Sequence, residues 1–418
     1  MADLFARCRS WQDYRRALAA GDYTYYLPTA ERRGANAVLA DGREVVMAGS
    51  TDYLGLSADP RVRKAAARAV ADHGPGLGGS RLLCGSLSLH EELEARLAAF
   101  TGQEAAITTP TGYQAGLALA GLLDAGDTVY ADKLDHACLT EAVRVSPATL
   151  RRYRHGDTGG LAAALERGSS RDSGGAPVLL TDGLFSMTGD LGDLPGLADL
   201  RDRHGARLIV DTSHDIGLIG EHGRGAPEFL RVEDRVDLLV FSFSKSFGGV
   251  GGAVAGPADV IDYIRHRSDA VLFSAALPPS ATAGALAALD VMAEEPWRRT
   301  RALECARMLR DGLRERGIPA QGGPGALLTV PMPDERTCRR YFLDLLDEGV
   351  FTSAITPPAI PHGAVLRVCT TAAFTDDHLA RILDAFSAVE RRRGGGNGGD
   401  DGSAVPAAGF ATAGRAAT

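Results

Sequence analysis

A lysine at the end of an apolar run poses the first chemical question. From Val236 to Gly252 the chain reads V-D-L-L-V-F-S-F-S-K-S-F-G-G-V-G-G, with Lys245 placed after six apolar residues, one aspartate and two serines, and before a glycine-rich turn. Lysine is rarely buried without a partner, so a core strand that delivers Lys245 to its end implies a use for the amine. Other strand-like runs end on equally reactive residues. R-L-I-V is followed by Asp211, Thr212, Ser213 and His214, and P-V-L-L-T by Asp182 and, four residues on, Ser186. A-A-I-T-T leads into Thr111, Gly112 and Tyr113 at a helix start, and D-T-V-Y-A into Asp132 and His136. In open α/β sheets ligands bind beyond the carboxyl ends of the strands. Acids, two histidines, hydroxyls, a helix N-terminus and a lysine would therefore meet in one crevice.

These are the parts that a pyridoxal 5′-phosphate (PLP) site needs. A desolvated lysine has a lowered pKa and serves as nucleophile and base. An acid such as Asp211 faces the pyridine nitrogen and keeps the ring an electron sink. His136 supplies a ring to stack on the cofactor. The backbone N–H groups of Gly112 and Tyr113, at the start of a helix, suit a phosphate, and Ser242 and Ser244 add hydroxyl donors. Taken singly, each feature has a plainer reading: an aspartate after a strand is a helix cap, and a lone histidine is structural. The stretch Gly248 to Gly252 resembles a dinucleotide loop, but no strand–G-x-G-x-x-G–helix unit surrounds it, and there is no Walker P-loop.

The elements that must position these groups follow from the patterning. Between about 46 and 285, apolar runs alternate with Ala/Leu-rich helical stretches, which implies crossovers and a mostly parallel sheet covered on both faces. Residues 1–45 read as an amphipathic helix and a polar lead-in, 46–285 as a large cofactor-binding domain, and 286–393 as a small α/β domain. Within the last, a helical stretch from Ala281 to Leu313 is broken by Pro296. Residues 394–418 are low-complexity and are expected to be disordered.

Composition narrows the class. The 418 residues are 45% hydrophobic and 23% charged, with a net charge of −8. This is a globular composition without the basic stripe of a nucleic-acid binder. Local arginine clusters (Arg151, Arg152 and Arg154; Arg391 to Arg393) read as solvated helix faces or loops. The six cysteines are scattered, with no C-x-x-C pair, so neither a metal site nor a disulfide framework is expected. With no signal-peptide pattern and no membrane-length apolar run, the expected location is the cytoplasm.

Beyond these readings, the chain from about 40 to 390 resembles the α-oxoamine synthase family, PLP-dependent enzymes of fold type I. The matching stretches are D-Y-L-G-L (52–56), G-P-G-L-G-G-S-R-L-L-C-G (74–85), H-E-E-L-E (90–94), T-G-Y-Q-A (111–115), D-x-L-x-H-A (132–137), F-S-M-T-G-D (185–190), H-x-x-G-x-x-G-x-x-G-R-G (214–225), F-S-K-S-F-G-G-V-G-G (243–252) and F-S-A-A-L-P-P (273–279). The resemblance implies a seven-stranded-type, mostly parallel sheet in the large domain and a small C-terminal α/β domain. It implies Lys245 as the Schiff-base lysine, Asp211 as the acid at the pyridine nitrogen, and His136 as the stacking ring. His214 and Ser186 fall near the phenolic oxygen, Gly112 and Tyr113 at the phosphate, and Arg367 at a substrate carboxylate. A homodimer is implied, with Ser274 reaching the partner's phosphate. The implied reaction joins an amino acid to an acyl thioester, on CoA or a carrier protein, with loss of CO2 and with Lys245 or His136 assisting removal of the α-proton. Ser80 lines the space for the amino-acid side chain, which favours alanine or serine over glycine. The clusters at Arg151 to Arg154 and at Arg339 and Arg340 offer a docking patch for an acidic carrier.

The chain also departs from the family pattern. D-E-A-H is D-T-S-H (Asp211 to His214), and Thr51 replaces an asparagine expected near the substrate carboxylate. N-H-A-S is Asp135 to Cys138, Gly116 replaces an asparagine, and Phe374 replaces a histidine. Asp135 either raises the pKa of His136 or faces solvent. These changes bear on acyl donor and amino acid more than on PLP, and point to specialised metabolism. The alternatives are other PLP chemistry on the same scaffold, such as transamination or decarboxylation, and a non-catalytic partner subunit.

Overall fold

Seven strands form the central sheet of the computed structural model, which describes residues 3–169, 175–357, 359–360 and 363–395. They are β1 (Ala105–Thr109), β2 (Thr128–Asp132), β3 (Thr149–Tyr153), β4 (Pro177–Asp182), β5 (Arg207–Asp211), β6 (Leu238–Ser242) and β7 (Gly252–Gly256), in the spatial order β1-β7-β6-β5-β4-β2-β3. Only β7 runs against its neighbours. Alternate residues of the inner strands enter two cores. Leu179, Leu208, Val210, Leu239 and Phe241 face one layer, and Val178, Leu180, Ile209, Leu238 and Val240 the other. Both faces are thus covered, as continuous apolar strands require.

Two strands escape the apolar pattern. β3 is exposed at three of its five positions, Arg151 and Arg152 among them. These arginines, read as helix face or loop, lie on an edge strand, where charge discourages pairing with another chain. β7, G-A-V-A-G, is fully buried. Its glycines are steric requirements. A Cβ on Gly252 would sit 2.6 Å from the Cα of Gly112, and one on Gly112 would sit 2.4 Å from the Cβ of Ser242. Their absence lets the helix Gly112–Ala118 rest on the sheet.

The second unit joins both ends of the described chain. Leu327–Met332, Ala364–Cys369 and Ser353–Ile355 form a three-stranded antiparallel sheet. It packs with the helices Trp297–Glu315, Glu335–Asp347 and Asp376–Gly395. Residues 29–47, expected within a polar lead-in up to residue 45, instead make an antiparallel meander, Thr29–Arg33, Asn36–Leu39 and Glu44–Met47. Its last strand pairs in parallel with Val350–Phe351. Ala37, Leu39, Val45 and Val46 share a core with Leu345 and Phe386. The expected helix break holds, with Pro296 separating Pro279–Glu294 from Trp297–Glu315. The tail expected to be disordered lies outside the described residues, apart from Gly394 and Gly395 at the end of the last helix. No described helix is long and apolar enough to cross a membrane.

Phe386 is fully buried in the small-domain core. Phe386→Ala is expected to cost about 3–5 kcal/mol of stability, read as a fall in the urea midpoint. An unchanged midpoint would mean that this core does not limit unfolding.

Candidate active site

Lys245 sits in the loop that turns β6 back into β7. The loop is closed by backbone hydrogen bonds: Phe243 N–H donates to the Gly251 carbonyl, Gly249 N–H to that of Phe243, and Gly248 N–H to that of Lys245, each at 2.9 Å. Phe243 and Phe247 are fully buried, with ring centroids 5.0 Å apart, and anchor the loop on both sides of the lysine. Gly248 has φ +67°, and a Cβ there would lie 2.3 Å from the Ser57 nitrogen. Lys245 is thereby held at the wall of a cavity of about 270 Å³. Burial lowers its pKa, against the opposing pull of Asp211.

The cavity lies at the carboxyl ends of the strands. Gly112, Tyr113, His136, Asp211, His214, Ser242, Ser244 and Lys245 all line it. The Ser242 and Ser244 hydroxyls are 2.7 Å apart. Asp211 Oδ1 accepts from Ser213 N–H at 2.8 Å. The remaining expected site residues stand outside the lining. Arg367 Nη1 donates to the Ser186 carbonyl at 3.1 Å, and its buried Nε has no hydrogen-bond partner. Its charge still helps to lower the pKa of His214 and Lys245. The Ser80 carbonyl accepts from Leu83 and Gly85 N–H, the Thr51 carbonyl from Tyr53 N–H, and Ser274 Oγ from Gln114 Nε2 at 2.9 Å.

Four residues carry weight that the sequence reading did not give them. Tyr53, fully buried, places its Oη 2.7 Å from His214 Nδ1. Burial holds His214 well below its usual pKa, and Lys245 and Arg367 add to this. Asp182 lines the cavity and accepts from His136 N–H at 3.2 Å. Burial beside the charge of Asp211 pushes the Asp182 carboxyl well up. Cys138 places its sulfur 2.9 Å from His136 Nδ1 and 3.8 Å from Asp211 Oδ2. His155 bridges Asp132 (3.1 Å) and Asp190 (2.9 Å), with its ring edge-on to Phe185. D-H-A-C was the only visible signal for Cys138, and Asp182, legible as a strand-end acid, was given no separate role beside Asp211.

Three departures resolve differently from expectation. Asp135 neither faces solvent nor raises the pKa of His136. It is buried and accepts backbone N–H from Asp132 and Asp182. Burial lowers the His136 pKa, opposed by Asp211 and aided by Lys245. Phe374 is buried in the small-domain core, where its carbonyl accepts from Arg301. Thr212 is fully buried behind Asp211, with its N–H on the Val240 carbonyl.

Burial opposes charge on His155, but its two carboxylate partners raise the pKa to about 10. The native state then holds a proton that the unfolded state releases from about pH 6.5 upward. This contribution to stability is complete below about pH 6.5 and disappears as pH rises toward about 10. His155→Gln is expected to flatten that part of the stability–pH curve in urea titrations. An equal slope in variant and wild type would remove the bridge.

Comparison with known proteins agrees with this geometry. Residues 43–386 match the family model described as aminotransferase class I and II. A putative 8-amino-7-oxononanoate synthase 2 of Mycobacterium tuberculosis is 39% identical over 86% of this chain, which spans about half (46%) of that relative's length. A serine palmitoyltransferase of Sphingobacterium spiritivorum is 36% identical over 86% of this chain and 90% of its own. A serine palmitoyltransferase of S. paucimobilis, solved with PLP and myriocin, superposes with a TM-score of 0.89 at 29% identity, covering 94% of this chain and 100% of its own.

Proposed function

The chain belongs to the aminotransferase class I and II family, in its α-oxoamine synthase branch, and we propose that it is a PLP-dependent C-acyltransferase. It would join an amino acid to an acyl thioester, on CoA or a carrier protein, with loss of CO2, giving an α-amino ketone. The observation that carries this reading is the meeting of Lys245, Asp211, His136 and His214 around one cavity at the strand ends.

The residues fit the cofactor. Gly112 and Gly252 lack the side chains that would close the cradle beside Ser242. The Gly112 and Tyr113 backbone with the Ser242 and Ser244 hydroxyls would hold the phosphate, Asp211 the ring nitrogen, and His136 the ring face. His214, fixed by Tyr53, would hold the phenolic oxygen with Ser186. When bound, PLP supplies an aldehyde for an amine and a ring that spreads the charge left on a carbon.

The chain's own groups do the rest. Lys245, its pKa lowered by burial, would give up its proton more readily than a free lysine and would serve to attack and to take a proton. Arg367, with an unpartnered Nε, would take the substrate carboxylate in a fork and orient the bond that breaks. Ser80 and Thr51 would border the amino-acid side chain, with alanine or serine favoured. Leu83 and Phe273, both 81% exposed near Ser80 and Ser274 in sequence, support a homodimer that covers these loops.

Lys245→Ala is expected to cut turnover by about 10²–10⁴-fold, followed as thiol release from acyl-CoA with L-alanine or L-serine. Wild-type turnover in the variant would exclude Lys245 from the reaction. Failure of the PLP absorption band of the wild type to respond to any amino acid would reject acyl transfer from an amino acid. Arg367→Ala is expected to raise the amino-acid KM by about 10–100-fold, the worth of hydrogen bonds to a charged group, and to change the acyl-CoA KM little. Equal effects on both would remove the carboxylate role.

A further inference from the structure

Two of the departures, Gly116 and Cys138, are twenty-two residues apart in sequence and touch in space. A Cβ on Gly116 would fall 2.5 Å from Cys138 Sγ and 2.7 Å from Cys138 Cβ. A side chain at 116 and the side chain at 138 in this position exclude one another, at its Cβ as well as its sulfur. The helix Gly112–Ala118 therefore packs this closely on Cys138 because residue 116 has no side chain.

The sulfur is directed at one atom. His136 is the N-cap of the helix Ala137–Val145, and its Nδ1 accepts from Cys138 N–H at 3.4 Å. A backbone N–H only donates, so Nδ1 carries the lone pair and a neutral ring bears its proton on Nε2. The thiol lies 2.9 Å from the same Nδ1. Burial, with Asp211 and Asp182 nearby, pushes the thiol pKa far up and keeps it S–H, a donor. Its other acceptor, Asp211 Oδ2, is farther away at 3.8 Å. The groups facing His136 are Tyr113 from one helix (centroids 6.5 Å), Asp182 from β4, and Asp211 and Lys245 around the cavity.

We infer that Gly116 and Cys138 form one positioning unit that fixes His136 as the Nε2–H tautomer. The ring then meets the cavity as a hydrogen-bond donor and does not compete with Lys245 for the substrate proton. Cys138 acts through His136 and is a positioning residue. This inference rests on the function proposed above for its catalytic consequence, but not for its geometry.

The test is the tautomer itself, read from ¹⁵N histidine shifts of the full chain with and without PLP, near neutral pH. The wild type is expected to show Nε2–H. Cys138→Ser, which keeps a donor, should retain it. Cys138→Ala, which leaves Nδ1 only the long 3.4 Å backbone N–H contact, and Gly116→Ala should each raise the share of the Nδ1–H tautomer and lower turnover by about 3–10-fold, the worth of one net hydrogen bond, with the amino-acid KM little changed. Their combination should be no worse than Gly116→Ala alone. A wild-type ring protonated on Nδ1 overturns the inference even if no variant folds. So does an unmoved tautomer in Cys138→Ala. A wild type that binds no PLP defeats the proposed function instead, and the shifts of the cofactor-free chain still decide the tautomer.

Discussion

The close approach of two backbones governs the rest of this structure. The helix Gly112–Ala118 lies against β6 and β7 at a distance that no side chain on Gly112 or Gly252 would permit. That approach brings backbone N–H groups, two serine hydroxyls and the Lys245 loop to a common point. It also requires β7 to be small and buried, which G-A-V-A-G satisfies. Larger side chains at these glycines would lift the helix off the sheet and separate the lysine from the helix start.

Charge is distributed around the cavity by the same strand ends. Asp182 and Asp211 stand opposite one another at the ends of neighbouring parallel strands, so their carboxylates are brought together by register alone. Such crowding is unfavourable unless protons or cations relieve it. His155 pairs with Asp132, backbone N–H groups satisfy Asp135, and Asp182 has its pKa pushed up. Asp211 faces Lys245 across a space that a cationic ring nitrogen would complete.

The sequence was most legible where chemistry and periodicity coincide. Five strands are apolar runs that end on polar residues, and the lysine, both pocket histidines and Asp211 follow from them. β3 and β7 escaped because one is a charged edge and the other is glycine-rich, and neither carries an apolar signature. Tyr53 and Cys138 escaped because their roles depend on partners distant in sequence or on which atom a side chain faces. Asp135 shows the same limit: its neighbours in sequence do not reveal that it points inward to backbone N–H groups. The meander over residues 29–47 was hidden because its partner strand lies near the other end of the chain.

That last pairing has a consequence for how the chain is made. Val46 opposes Val350, roughly 300 residues away, and loop closure over such a span is slow relative to local contacts. On a ribosome, the central sheet, complete by Gly256, can assemble while the early strands still await their partner. The small domain then matures after the central sheet. Its N-terminal meander remains an unpaired edge, in need of protection from other chains, until Val350 and Phe351 have emerged.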